Sequence, residues 1–292
     1  NRNRRAAGSA DVMGAMLRIA VGSSCGAYPV ERRTGDGLEH ATDLVAEEVP
    51  VALSYNGVSY AVMLATPHDL EDFAAGFSLS EAIVESIDEL HDLQISRTEE
   101  GIAVDIAISP ARFLKLRERR RNLTGRTGCG ICGTESLAQA IRRPPPVASS
   151  LLKVQPAAIH RALAELGKLQ TLNSATGAVH AAAWASAGGA VRLLREDVGR
   201  HNALDKLIGS LAWSRSGFAD GFAVITSRAS YEMVQKAATA GIALLAAISA
   251  PTGLAIRLAR ETGVTLVGFA RQRSHVVYTH SQRIHEISEA VS

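Results

Sequence analysis

Phe222-Ala-Val-Ile-Thr226, Ile242-Ala-Leu-Leu-Ala-Ala-Ile248 and Val264-Thr-Leu-Val-Gly-Phe-Ala270 are three short apolar runs. Between them lie Ser230–Ala240 and Thr252–Glu261, which carry apolar residues at helical spacing behind a hydroxyl residue. Runs this short and this apolar read as buried strands. Strands alternating with helices imply a parallel sheet with helical crossovers, so the fold class is α/β. In such open sheets, ligands bind beyond the carboxyl ends of the strands. Those ends are Thr226-Ser227-Arg228, Ser249-Ala250-Pro251-Thr252 and Phe269-Ala270-Arg271-Gln272-Arg273. Their hydroxyls, arginines and helix N-termini suit a phosphate-bearing ligand, with Arg228 the best candidate contact. No Walker motif or G-x-G-x-x-G accompanies them, so ordinary nucleotide folds are not supported.

Working outward, Pro156–Lys168 reads as a helix, and Ala178–Ala185 and Ala190–Arg195 as strands joined at Ala187-Gly188-Gly189. Asp197-Val-Gly-Arg-His-Asn202 leads into a helix with Leu204, Leu207, Ile208 and Leu211 on one face. Arg200 and His201 open that helix and are candidate site residues. Asp205 and Lys206 read equally as helix salt-bridge residues, and His180, on a buried strand, as a satisfied core histidine. Pro144-Pro145-Pro146 marks a linker. Before it, Asn56-Gly57 between Val51–Tyr55 and Val58–Leu64 is a hairpin signal, because both turn residues tolerate positive φ. Thr66-Pro67 is expected to open a helix, with Thr as N-cap and Pro at the first position. Gly101–Ser109 reads as a strand and Pro110–Arg121 as a basic helix. The expected architecture is a smaller α+β region at 41–143, with hairpin and helix, and a larger α/β domain at 144–292. Residues 1–40 are expected to be a flexible extension.

The chain has 292 residues, of which 47% are hydrophobic and 4% aromatic, and a net charge of +2. That composition supports a buried aliphatic core and argues against disorder. Residues 237–256 are uncharged, but Gly241, Pro251 and Gly253 interrupt them, so no membrane segment is expected. Three cysteines cannot build a disulfide framework, and a reducing cytoplasm is the expected compartment. Two of the three form Cys129-Gly-Ile-Cys132 inside Gly125-Arg-Thr-Gly-Cys-Gly-Ile-Cys-Gly133. The glycines predict a mobile loop. From Arg112 to Arg143 there are nine bases against two acids, a local balance of +7. This patch reads equally as a solvated helix face or as an anion-attracting surface. A helix predicted to start at Thr134, together with Arg126, would favour the thiolate, the reactive form of cysteine. Cys129 could then carry sulfur as a persulfide, and Cys132 could stabilise it or displace sulfide. Zinc needs four ligands, and no second Cys pair or His-x-x-x-His exists; no metal ligands are assigned. Zinc deaminases pair Pro-Cys-x-x-Cys with an upstream His-x-Glu. Here His180-Ala-Ala182 lies downstream and lacks the glutamate.

Several blocks in order carry a resemblance: Glu48–Val51, Thr66–Phe73, Gly125–Gly133, Thr176–Ala181, Glu196–Lys206, Ser227–Val234, and Leu266–Phe269 with Val277–Thr279. In these the chain resembles the FdhD/NarQ family, the formate dehydrogenase accessory sulfurtransferases. The resemblance implies a sulfur carrier that takes persulfide sulfur from an IscS-type cysteine desulfurase. It delivers that sulfur to molybdenum bis(molybdopterin guanine dinucleotide) for formate dehydrogenase. It further implies Cys129 as the persulfide cysteine with Cys132 beside it, and a cofactor segment at Phe269, Ala270, Arg271, Gln272, Arg273 and Ser274. Adding Ser227, Arg228, Arg200 and His201 completes the candidate set. A guanine nucleotide is expected to mimic the cofactor. The resemblance also implies a larger domain of cytidine-deaminase-like fold and a homodimer; nucleic acid and membrane are not expected partners. The competing readings are a cofactor-binding chaperone without sulfur transfer and a zinc-stabilised adaptor.

Overall fold

The computed structural model describes residues 24–35, 37–121, 143–147, 151–215, 217–271 and 273–285. Among them, strands β9 (Gly221–Ile225), β10 (Leu244–Ala247) and β11 (Thr265–Arg271) are parallel, as the opening runs imply. They form the middle of a six-stranded sheet completed by β7 (His180–Ser186), β8 (Val191–Asp197) and β12 (Ser274–Val277). The order is β12-β11-β10-β9-β7-β8, with β7, β8 and β12 each antiparallel to its neighbours. Both faces are covered, which is why these strands are apolar throughout. Ala183, Phe222, Val224, Leu244 and Val267 pack beneath helix α3 (Pro156–Leu169). Trp184, Ile225, Leu245 and Leu266 face α5 (Arg200–Trp213), α6 (Tyr231–Thr239) and α7 (Gly253–Thr262).

The N-terminal sheet has the order β4-β3-β6-β5, from β3 (Val49–Tyr55), β4 (Val58–Ala65), β5 (Leu90–Arg97) and β6 (Ile102–Ile108). The β3–β4 hairpin turns at Asn56-Gly57, both at positive φ, as predicted. Helix α1 (Leu70–Ser80) covers this sheet with Phe73 and Phe77. It starts at Leu70, after Asp69 in the left-handed region, and not at Thr66-Pro67. The reason is tertiary: the Thr66 hydroxyl and N–H both bond to Asp197, 131 residues away, so Thr66 cannot cap a helix.

Helix α1 also lies against α5, joining the two sheets into layers. Gly76 and Gly209 mark the crossing, because a side chain on either would meet the other helix's backbone. Beside it, Lys236 Nζ lies 2.9 Å from Asp205 and 3.0 Å from Glu81, with Ser80 bridging. Burial opposes the Lys236 charge, but the two carboxylates outweigh it and raise its pKa. Asp205 and Lys206 thus do not serve one helix: Asp205 reaches α6, and Lys206 reaches Asp197 on β8.

Residues 25–46 form an antiparallel hairpin of β1 (Cys25–Thr34) and β2 (Gly37–Ala46), which crosses the boundary drawn at residue 40. Helix α2 (Pro110–Arg121) follows β6, and a short α4 (Thr171–Thr176) precedes β7. No helix among the described residues is long and apolar enough to cross a membrane.

Candidate functional site

The loops beyond β9, β10 and β11 are hydrogen-bonded into one surface. Ile248 N–H donates to Ile225 O (3.0 Å), Thr252 N–H to Ala229 O (3.1 Å) and Phe269 N–H to Ser249 O (3.2 Å). Gly268 permits this closeness, since a Cβ there would stand 2.7 Å from Pro251 Cδ and 3.0 Å from the Tyr278 ring. The β11–β12 register then breaks between Gly268 and Arg271. Within the break Phe269 has φ of 50°, which a bulky residue rarely adopts. The residue stays 38% exposed, with the Arg271 guanidinium 5.9 Å from its ring centroid. Strain of this kind collects at functional sites, and an exposed ring beside a guanidinium is chemically suited to stacking of a flat ring.

The other predicted residues divide by burial. Ala270 is fully buried among the apolar residues between the sheet and α3, so only its backbone can meet a ligand. Arg271, Arg273 and Ser274 are exposed. Ser227 is buried and its hydroxyl bonds to the Arg228 carbonyl (3.2 Å), turned away from solvent. The Arg228 side chain is exposed and has no hydrogen bond or ion pair among the described residues. Gln272 lies outside them.

Arg200 and His201 open α5, next to this surface. Their position is fixed from below by Asp197. One carboxylate oxygen accepts from Gly199 N–H (2.7 Å) and Asn202 Nδ2 (3.0 Å). The other accepts from Thr66 N–H (3.0 Å) and Thr66 Oγ1 (2.8 Å), and lies 2.7 Å from Lys206 Nζ. Asp197 and Lys206 are both fully buried. A Cβ at 199 would stand 2.6 Å from Asn202 Nδ2, so any larger residue there must displace the Asn202 amide that bonds to Asp197.

His201 Nε2 lies 2.7 Å from a Glu232 carboxylate oxygen on the first turn of α6, off line for a hydrogen bond. The His201 ring holds the Glu232 carboxyl below its ordinary pKa, against the opposing effect of burial. His180, where β7 begins, is only half-buried, and its ring has no hydrogen-bond partner among the described residues. Burial, then Arg200 and His201, push its pKa down. Buried Arg200 Nε and Ser230 Oγ also lack partners. Sequence reasoning did not single out Ser230 or Glu232, and no spacing connects them to residue 200.

Helix α2 carries part of the basic patch towards the cysteine loop. Arg112 is neutralised by Glu85 (2.7 Å) and Glu89 (2.8 Å), whose carboxylates raise its pKa, while Lys115 and Arg117 are exposed. Cys129, Cys132 and the helix expected from Thr134 lie outside the described residues. No cluster of three or more His, Cys, Asp or Glu suited to a metal occurs among the described residues.

The fold is a mixed α/β one, with Arg228 at the strand-end surface and Arg200 and His201 at the start of α5. The chain belongs to the FdhD/NarQ family, which it matches over residues 46–285. It is 55% identical over 264 residues to the sulfur carrier protein FdhD of Cupriavidus necator, covering 90% of this chain and 91% of that one. It is 56% identical over 255 residues to the protein of the same name from Xanthomonas campestris pv. campestris, covering 87% and 90%. A crystal structure of a chain from Desulfotalea psychrophila, assigned as a formate dehydrogenase accessory protein, shares the fold. The TM-score is 0.71 at 22% identity, over 90% of this chain and 100% of the other.

Proposed function

We propose that this protein is a sulfur carrier in the maturation of formate dehydrogenase. It receives persulfide sulfur from a cysteine desulfurase and passes it to a molybdenum pterin guanine dinucleotide held at the strand-end surface. The Cys129 thiolate attacks the outer sulfur of the donor persulfide. The donor S–S bond breaks, its cysteine leaves as thiolate, and the outer sulfur remains on Cys129. This step needs no external oxidant or reductant. Cys132 can complete delivery by attacking the inner sulfur, which forms a Cys129–Cys132 disulfide and releases sulfide. The two thiols supply the two electrons, and a thiol or dithiol reductant must convert the disulfide back to the thiols before the next cycle.

The observations that carry the binding half are the exposed, strained Phe269 beside Arg271 and the buried polar atoms left without partners at Arg200 and Ser230. A guanine base fits the first and phosphates fit the second. The protein works as a homodimer in a reducing compartment on this reading. The test is complementation of a strain lacking its own family member. Wild type should restore formate dehydrogenase activity and Cys129→Ala should not, at equal protein level. Full activity with Cys129→Ala would leave the cofactor-binding chaperone as the better account.

A further inference from the structure

Strand β12 is short, lies at the sheet edge and pairs with β11 alone, across a broken register. The chain just past its far end is pinned. Tyr278 N–H donates to Leu266 O (2.8 Å), and Thr279 Oγ1 donates to Val264 O (2.7 Å) and accepts from Leu266 N–H (2.9 Å). At its leading end Ser274 pairs with Arg271, on the other side of the break. The next residue, His275, shares a strand face with Val277, which packs into the core beneath α3. His275 Nδ1 lies 3.0 Å from Nε2 of His160 on α3, with ring centroids 5.0 Å apart and both residues half-buried.

A bond between two imidazoles needs one N–H and one free lone pair. It persists with both rings neutral or with one protonated. With both protonated, all four nitrogens are donors and two like charges face each other. His275 is harder to protonate than a free histidine, first through burial and then through His160. The other charged groups of the surrounding elements are engaged elsewhere or exposed. On α3, Arg161 donates to Gly188 O, Glu165 accepts from Val191 N–H, and Lys168 is exposed. Arg271 on β11 lies near the Phe269 ring, and Arg273 is exposed. Before α3, Lys153 donates to Gln282 O, and His285, whose N–H bonds to Val154 O, is exposed. No carboxylate or cysteine joins the two rings as a third group among the described residues, so nothing offsets a second charge.

We propose that His160 and His275 form a proton-operated latch, which fastens the leading end of β12 to α3 at neutral pH and releases it when both rings are protonated. Opening takes up a proton, since His275 protonates more readily apart from His160. The open form therefore gains as pH falls below about 6.5, the ordinary histidine value. The end set free adjoins the register break between Gly268 and Arg271, so the order of this sheet edge follows pH. The latch does not depend on the sulfur-carrier reading.

The experiment is hydrogen exchange of the full chain, read by mass spectrometry at about pH 7.5 and about pH 5. EDTA is present to keep metal off the rings, and rates are corrected for the intrinsic pH dependence of exchange. In wild type, protection of peptides covering Ser274–Val277 should fall by about tenfold or more at the lower pH. Peptides covering Gly221–Ile225, at the sheet centre, should keep theirs. His160→Gln and His275→Gln each leave one ring to protonate, so protection at Ser274–Val277 should be the same at both pH values in each. Melting curves show that the variants are folded, and either one serves if the other is not. Wild-type protection at Ser274–Val277 that does not change with pH overturns the latch. So does a loss that persists undiminished in a folded variant, or one that spreads equally to Gly221–Ile225.

Discussion

Replacing Asp197 by alanine should destabilise the protein by about 5 kcal/mol and weaken ligand binding as well. Its carboxylate accepts four hydrogen bonds and faces Lys206 Nζ at 2.7 Å, with both residues fully buried. Removing one partner of a buried pair costs about 3–5 kcal/mol, because the remaining charge is left uncompensated. The Thr66 and Gly199 N–H groups lose their acceptor too, at about 1 kcal/mol each. Native domains are stable by only about 5–15 kcal/mol. In urea, with a slope of about 3 kcal/mol/M for a chain of this size, the midpoint should fall by about 1.5 M at unchanged slope. Lys206→Met should also destabilise. The double variant should recover about 2–3 kcal/mol of the summed losses, since it removes the orphaned cation. Gly199 would no longer be anchored, so GDP affinity should fall in Asp197→Ala. An Asp197→Ala midpoint within 0.3 M of wild type, or strictly additive losses, would refute this reasoning.

Gly76→Ala should destabilise by about 1–3 kcal/mol despite alanine's better helix propensity, because α1 must move off α5; a raised melting temperature would contradict the crossing. Burial and the neighbouring cations make His180 harder to protonate in the folded state. The unfolded chain therefore binds more protons below about pH 6.5, and stability should fall as pH drops from 7 to 5. Urea midpoints across that range should show a shallower fall for His180→Gln, and identical slopes would contradict the environment described. Phe269→Gly relieves the positive φ and should be neutral or mildly stabilising, while guanosine affinity drops about tenfold or more; unchanged guanosine titration would remove the base from this ring.

The three parallel strands were legible because buried parallel strands announce themselves as uninterrupted apolar runs. Asn56-Gly57 was legible for a local reason, both residues sitting at the positive φ that the turn demands. The helix start at Thr66-Pro67 failed because a capping signal is worth about 1 kcal/mol, and a buried aspartate from β8 outbid it. The 25–46 hairpin was missed because most of its residues are exposed, so no alternation marks it. His180, Arg200, Ser230 and Glu232 come from four segments. Arg200 was a candidate from the sequence, but Ser230 and Glu232 were not, and only the folded structure reveals that Arg200 Nε and Ser230 Oγ are buried without partners.

The central claim is that Cys129 carries sulfur. It is tested most directly by peptide mass spectrometry of the chain after incubation with a cysteine desulfurase and cysteine. The account predicts a thiol-reversible gain of one sulfur, about 32 Da, on the peptide containing Cys129. The gain should persist in Cys132→Ala and vanish in Cys129→Ala. An unmodified Cys129 beside a demonstrably active desulfurase would contradict it.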